Sequence, residues 1–255
     1  MQDGFAGQGA LVTGAGSGIG RATALALARD GARVVVSEIE AARGAETVAA
    51  IEAAGGEARF VALDVTDEAA WEAAIAAATD AFGAPRVLVN NAGVLPEPVS
   101  LEETSLAEWR RVTAVNLDGV FLGLKHGIKS MREAGGAIVN LASVYGIVGG
   151  ANIGGYGAAK GGVVSLTRSA ALECTQFGYA IRVNAVCPGY IDTRMTEETA
   201  DMLGYDVREA MAKQAPMKRM GRPEEVAEAI VFLASERSAF TTGTTLTMDG
   251  GYSAR

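Results

Sequence analysis

The stretch from Gly9 to Glu38 constrains the fold more than any other part of the chain. Gly9 to Thr13 is an apolar run of strand length that passes directly into Thr13-Gly14-Ala15-Gly16-Ser17-Gly18-Ile19-Gly20. A helical pattern follows, with Ala22, Leu25, Ala26 and Ala28 on its buried side, and it closes at Asp30-Gly31. Arg33 to Ser37 is then a second strand, ending on Glu38. Strand, glycine turn, helix, strand and terminal acid together make a dinucleotide-binding βαβ unit. Gly14, Gly18 and Gly20 let the backbone turn tightly and approach a pyrophosphate. Ser17 and Ile19 stand with them at the helix N-terminus, where free N–H groups and the positive dipole end favour an anion.

Glu38 bears on which dinucleotide is held. A carboxylate at that strand end can accept hydrogen bonds from both adenosine ribose hydroxyls, and it would face the extra phosphate of NADP. Like charges about 4 Å apart at an effective dielectric near 20 repel by about 4 kcal/mol. The sequence places no cation beside Glu38 to offset this, since Ser17 precedes Gly18 and Ile39 follows Glu38. The expected cofactor is NAD.

Ala41 to Ala54 reads as a helix ended by Gly55-Gly56, and Ala58 to Leu63 as a third strand ending on Asp64-Val65. Asp64 either caps the following turn or accepts a hydrogen bond from an adenine amino group, and spacing leaves both open. Glu68 to Phe82 is helical, and Arg86 to Val89 is a fourth strand ending in Asn90-Asn91-Ala92-Gly93. Two adjacent amides are costly to bury unpaired. They are expected to brace the sheet while Ala92 and Gly93 keep side chains away from a ligand. One long helix is predicted over Leu106 to Met131, with Asn116 inside it. Its amide competes for backbone hydrogen bonds, which marks a local distortion or a water site.

A fifth strand covers Ala137 to Ala142 and a sixth Ile181 to Val186, which leads into Pro188-Gly189-Tyr190-Ile191-Asp192-Thr193. Arg194 to Met220 is polar, Met-rich and loosely patterned, an insertion expected to act as a substrate lid. Pro223 opens another helix, with Glu224 and Glu225 in its first turn, and Thr244 to Met248 is the last strand. Seven strands alternating with helices predict one α/β domain over residues 1–255, a doubly wound parallel sheet with helices on both faces.

The chemistry-bearing stretch runs from Ser143 to Lys160. Tyr156 and Lys160 are four apart on a predicted helix, so they share a face. Ser143 sits at the carboxyl end of the fifth strand, where open α/β sheets place their ligands. A phenol and an ammonium beside a strand-end hydroxyl supply an acid–base group, its pKa tuner and a hydrogen-bond donor.

Partners are narrowed by the totals. A formal charge of -8 argues against nucleic acid or an anionic membrane as partner. No uncharged apolar run reaches membrane-spanning length, and MQDGFAGQGA lacks the basic and apolar regions of a signal peptide. The expected place is the cytoplasm. Cys174 and Cys187 make no disulfide framework, and His126, the one histidine, stands outside any metal-ligand spacing. No metal is expected.

With these motifs in hand, the chain resembles the compact, single-domain branch of the short-chain dehydrogenase/reductase family over essentially its whole length. TGAGSGIG, NNAG at Asn90 to Gly93, Asn116, Ser143, YGAAK at Tyr156 to Lys160 and PGYIDT at Pro188 to Thr193 occur in family order. The family's acid after the second strand is usually Asp, and here it is Glu38. The resemblance implies a Rossmann-type fold and a catalytic group of Asn116, Ser143, Tyr156 and Lys160. Tyr156 is then the general acid/base, and Lys160 favours tyrosinate and holds the nicotinamide ribose. Ser143 donates to the substrate oxygen, and Asn116 holds a water linking Lys160 to solvent. The Ile191 backbone and Thr193 hydroxyl orient the nicotinamide carboxamide.

The expected activity is NAD-dependent interconversion of an uncharged secondary alcohol and its ketone, cyclic or aryl-alkyl. Val144, Ile147, Asn152, Ile153, Tyr190 and the 194–220 segment are expected to wall the pocket. The alternatives are a hydroxysteroid or 3-oxoacyl-thioester reductase, or a non-catalytic NAD-binding regulatory protein. The resemblance further implies a homotetramer, with the helices at Leu106 to Met131 and Tyr156 to Phe177 paired across a two-fold axis and the DGGYSAR tail at a second interface.

Overall fold

Parallel strands covered on both faces must be apolar almost throughout, and Gly9–Thr13 (β1) and Val87–Asn90 (β4) are buried at every position. The computed structural model describes residues 4–254; Met1 to Asp3 and Arg255, the end of the DGGYSAR tail, lie outside the described residues. The remaining strands are Arg33–Glu38 (β2), Glu57–Ala62 (β3), Gly136–Leu141 (β5), Ile181–Pro188 (β6) and Thr245–Met248 (β7). They form one seven-stranded parallel sheet in the order β3-β2-β1-β4-β5-β6-β7. The direction of winding reverses between β1 and β4. Ligands of open α/β sheets bind outside the carboxyl ends of the strands at such a point.

Helices cover both faces. Gly18–Arg29 (α1), Ala41–Ala53 (α2) and, later in the chain, Pro223–Ala234 pack one side, around Leu27, Ile51 and Ile230. Glu68–Phe82 (α3), Leu106–Thr113 (α4), Gly119–Met131 (α5) and Gly154–Gln176 (α6) pack the other, around Trp71, Leu124 and Val163. Glu68 ties α3 to α5 through His126 at 3.2 Å and through Lys125.

The long helix predicted over Leu106 to Met131 is broken. A π-helical turn, Ala114–Asp118, separates α4 from α5, with Asn116 buried at its centre. The Asn116 side-chain amide donates to the Val112 carbonyl at 3.0 Å. In a regular helix that carbonyl belongs to the N–H of residue 116, so the side chain displaces the ladder by one residue. Residues 194–220 hold two more helices, Arg194–Leu203 (α7) and Arg208–Gln214 (α8), followed by the Pro223–Ala234 helix (α9). α7 and α8 bury almost nothing, which is why they left so faint an apolar pattern. Among the described residues no helix is long and apolar enough to cross a membrane.

Candidate active site

A cavity of about 740 Å³ opens along the carboxyl ends of β1, β4, β5 and β6, between Glu38 and Asp64 at one end and Met195 and Met211 at the other. Its first part is built from the glycine turn. Gly14 has φ +61°, and a Cβ there would lie 2.9 Å from the Ala92 Cα and 3.0 Å from Asn91 Nδ2. α1 begins at Gly18 with no side-chain cap from Ser17, and the backbone bond from Arg21 N to Ser17 O is 3.1 Å. The N–H groups ahead of Arg21 therefore have no intrahelical carbonyl. Gly14, Ser17, Gly18 and Ile19 line the cavity. Gly20 does not: a Cβ there would overlap the Gly14 carbonyl and the Asn91 amide, so its task is close helix–strand packing.

Glu38 is buried, and its carboxylate accepts from Gly16 N at 3.1 Å, Ile39 N at 2.9 Å and Glu40 N at 3.3 Å. A carboxylate offers about four acceptor positions. While these three bonds stand, Glu38 has room for one further donor rather than the two expected from sequence. The expectation that no cation stands nearby is also corrected. The first turn of α2 brings Arg43 to the cavity wall, with Nη2 2.6 Å from Glu40 Oε2. Asp64 caps its turn, Oδ1 accepting from Thr66 N at 2.9 Å and Thr66 Oγ1 at 2.7 Å, and Asp64 and Val65 line the cavity as well.

The amides after β4 brace the sheet. Asn90 Nδ2 donates to Asn140 Oδ1 at 2.8 Å, and Asn91 Nδ2 to the Thr13 and Gly14 carbonyls at 2.9 and 3.1 Å. Ala92 and Gly93 follow on the cavity wall, and a Cβ on Gly93 would fall 2.8 Å from Asn116 Oδ1 and 3.6 Å from Lys160 Nζ. Asn116 in turn grips the next residue from both sides, accepting from Val94 N at 3.3 Å and donating to Val94 O at 2.9 Å.

Ser143, Tyr156 and Lys160 converge on the middle of the cavity. Ser143 follows β5 and accepts from Tyr145 N at 3.2 Å, while its hydroxyl also bonds Tyr156. Lys160 is only 3% exposed, donates to the Leu141 carbonyl at 2.8 Å, and holds Nζ 5.7 Å from the Tyr156 ring centroid. Burial lowers its pKa to about 8. Burial raises the pKa of Tyr156, and the Ser143 hydrogen bond pulls it back down. Beneath them the Cys187 thiol is pushed up to about 11 by burial and stays neutral.

Beyond Tyr156 the wall differs from the expected one. Ile153 and Tyr190 line the cavity, whereas Val144, Ile147 and Asn152 do not. A 3-10 turn, Val144–Gly146, has a period of three; it sends Val144 into the core and leaves Ile147 42% exposed. Asn152, with φ +62°, belongs to a separate shallow crevice beside Trp109. The same turn brings Tyr145 to the cavity, where its hydroxyl lies 2.6 Å from that of Tyr190. Residues 94–97, Arg111 and Arg194 also line it. Arg194 opens the 194–220 segment that was expected to wall the pocket, whereas no local motif announces residues 94–97 or Arg111. Pro188 at the end of β6 and Gly189, Ile191 and Thr193 beyond it close the wall, with Thr193 as N-cap of α7 and its methyl side 3.3 Å from where a Gly18 Cβ would lie.

The residues fit a dinucleotide. At Gly16 a Cβ would lie 2.7 Å from the Arg43 Cβ and 2.8 Å from Glu38 Oε2, so only glycine lets the turn close down on the Glu38 carboxylate beside the cavity. Its donors are helix N-terminal amides, suited to a pyrophosphate. Among the described residues no group of three or more His, Cys, Asp or Glu is placed to hold a metal.

Comparison with known proteins agrees with this geometry. A family model described as enoyl-(acyl carrier protein) reductase matches residues 14–253. The chain is 49% identical, over 100% of both chains, to a cis-4-hydroxycyclohexanecarboxylate dehydrogenase of Sinomonas cyclohexanicum. It is 43% identical to a cyclohexanol dehydrogenase of an Acinetobacter species, covering 100% of this chain and 98% of the relative. An NADP-dependent (R)-specific alcohol dehydrogenase of Lentilactobacillus kefiri is 39% identical over 100% of each. The crystal structure of levodione reductase superposes with a TM-score of 0.93 at 40% identity, covering 98% of this chain and 99% of that one. The chain belongs to the short-chain dehydrogenase/reductase family, as a nicotinamide-dependent oxidoreductase of secondary alcohols.

Proposed function

We propose that the protein is an NAD-dependent dehydrogenase of uncharged alicyclic secondary alcohols. The observation that carries the reading is the convergence of Ser143, Tyr156 and Lys160 beside an open dinucleotide cradle. The relatives at 49% and 43% identity are both named for alcohols on a cyclohexane ring. In this reading Gly14, Ser17, Gly18 and Ile19 hold the pyrophosphate, Glu38 a ribose hydroxyl, and Asp64 and Val65 the adenine. Asn91, Ala92 and Gly93 leave room for the nicotinamide half, which Lys160, Pro188, Gly189, Ile191 and Thr193 orient. The bound nicotinamide supplies hydride transfer. Ser143 donates to the substrate oxygen, where charge develops. Tyr156 takes the alcohol proton during oxidation and returns it during reduction. Asn116 fixes the wall beside Lys160 through Val94. NAD is favoured because Glu38 faces the 2′ position, while the charge of Arg43 is taken up by Glu40. The enzyme works in the cytoplasm as a homotetramer, with 194–220 as its lid.

A second reading is a hydroxy acid substrate, for which the 49% relative is named. Arg194 lies on the cavity wall, but its Nε is 3.0 Å from Glu198 Oε1, so it offers little net charge. Steady-state kinetics with cyclohexanol, cis-4-hydroxycyclohexanecarboxylate, NAD and NADP decide. Cyclohexanol with NAD should be best, and Tyr156→Phe should lower its turnover by at least about 10²-fold. Preference for NADP would sink the cofactor assignment. A tenfold preference for the hydroxy acid would show that Arg194 leaves Glu198 to meet the substrate. Activity of Tyr156→Phe within a few-fold of the parent would remove Tyr156 from its role.

A further inference from the structure

Tyr145 and Tyr190 reach the cavity from different parts of the chain, the 3-10 turn after β5 and the loop after β6. Their hydroxyl oxygens are 2.6 Å apart and their rings meet edge to face at 6.3 Å. Tyr252, in the C-terminal 3-10 turn Tyr252–Ala254, packs edge to face on both, at 6.3 and 5.6 Å, and shares in their hydrogen bonding. Ring packing accounts for three aromatic side chains here but not for three hydroxyls. Phenylalanine would fill the same space without the cost of taking a hydroxyl out of water. Each phenol has one proton and two lone pairs, so bonds within the cluster leave lone pairs to accept from elsewhere. Tyr145 and Tyr190 both line the cavity, whose wall also holds the apolar Val94, Leu95, Ile153 and Met195 and the polar Arg111, Thr196 and Glu198.

We propose that the Tyr145–Tyr190 hydroxyl pair is a second recognition point, for a hydroxyl carried on the substrate ring away from the reacting carbinol. The inference rests on the alicyclic-alcohol reading above and narrows it to a ring diol, or a hydroxyketone in the reducing direction. The ring hydroxyl donates to the pair, and the aromatic edges hold the ring carbons between them. A site built around a hydroxyl discriminates against the analogue lacking it far more strongly than an apolar wall separates sizes.

The test is kcat/KM for reduction of 3- and 4-hydroxycyclohexanone against 3- and 4-methylcyclohexanone, which match them in size. In the parent enzyme the hydroxy ketone should exceed its methyl counterpart by about tenfold or more at one ring position. In the Tyr145→Phe, Tyr190→Phe double variant that ratio should fall to within about threefold of one. The ratio is read within each protein, so a general loss of activity from a disturbed wall cancels. If the double variant does not fold, the single Phe variants carry the test, and the ratio must fall in at least one of them. A parent enzyme that shows no hydroxyl preference, or a preference that survives every variant, overturns the proposal and leaves the alcohol dehydrogenase reading intact. Failure to reduce any of the four ketones overturns that reading and this inference with it.

Discussion

Lys160 is an ammonium held under the cavity floor with a carbonyl, not a carboxylate, as its hydrogen-bond partner. With burial lowering its pKa to about 8 it still carries its charge near neutrality. Burial pushes Tyr156 the other way, toward keeping its proton, and a nearby cation opposes that by favouring the phenolate. Alcohol oxidation requires Tyr156 to lose its proton. Removing the cation in Lys160→Met should therefore move the kcat profile for oxidation to higher pH and lower turnover at pH 7 about tenfold or more. A profile between about pH 6 and 10 with an unmoved midpoint would show that Lys160 serves only to hold the ribose. At this scale Ser143, Tyr156 and Lys160 were legible in the chain because a strand end and an i, i+4 spacing fix where they point, and Asn116 because an amide is out of place inside a helix. Tyr145, Arg43 and Arg111 were not, because a turn of 3-10 helix and the packing of α2 and α4 against the strand ends decide their place.

Among the elements, α4 does more than cover the sheet. Buried Glu108 accepts from Glu97 N at 2.8 Å and from Arg111 Nε at 2.7 Å, while Arg111 Nη2 donates to Leu95 O at 2.6 Å. Asn116, two turns along, holds Val94 in both directions. α4 and the π-helical turn after it thus zip down residues 94–97 on the cavity wall. Arg111 holds the Glu108 carboxyl below the usual range. A carboxylate depressed in the folded state contributes stability above its unfolded pKa and loses it as pH falls through the folded one. The zip should hold at neutral pH and open only in acid, as pH falls through a folded-state value that Arg111 holds below the ordinary glutamate one. Glu108→Gln keeps the shape but not the charge. It should raise KM for the alcohol several-fold, with a smaller fall in kcat and little change in KM for NAD. Equal loss in every parameter would mean that α4 only stabilises the fold. The strands were readable because buried parallel strands are apolar runs. The break between α4 and α5 announced itself only as a misplaced asparagine, and α7 and α8 bury too little to leave a strong pattern.

Over the whole molecule, the sheet leaves apolar side chains that it does not cover. Phe121 on α5 is 49% exposed, Leu172 on α6 is 71% exposed and Phe177 just after α6 is 63% exposed. All three belong to the helices on one face of the sheet, and Phe240, fully exposed, stands before β7. α5 and α6 lie within the two stretches, Leu106 to Met131 and Tyr156 to Phe177, that the family resemblance pairs across a two-fold axis. A stable interface buries about 1,200–2,000 Å² in total, and the homotetramer proposed above would draw it from these two helices of each partner, paired across a two-fold axis. In the proposed tetramer the C-terminal turn, held against Tyr145 and Tyr190 by Tyr252, would make the second contact. Two independent two-fold interfaces close a tetramer. Light scattering at micromolar concentration should therefore report four copies, and Leu172→Glu should give a smaller species by placing like charges opposite each other at the axis. Monomer alone from the parent protein would contradict the assembly. An unchanged tetramer from Leu172→Glu would move the interface away from α6.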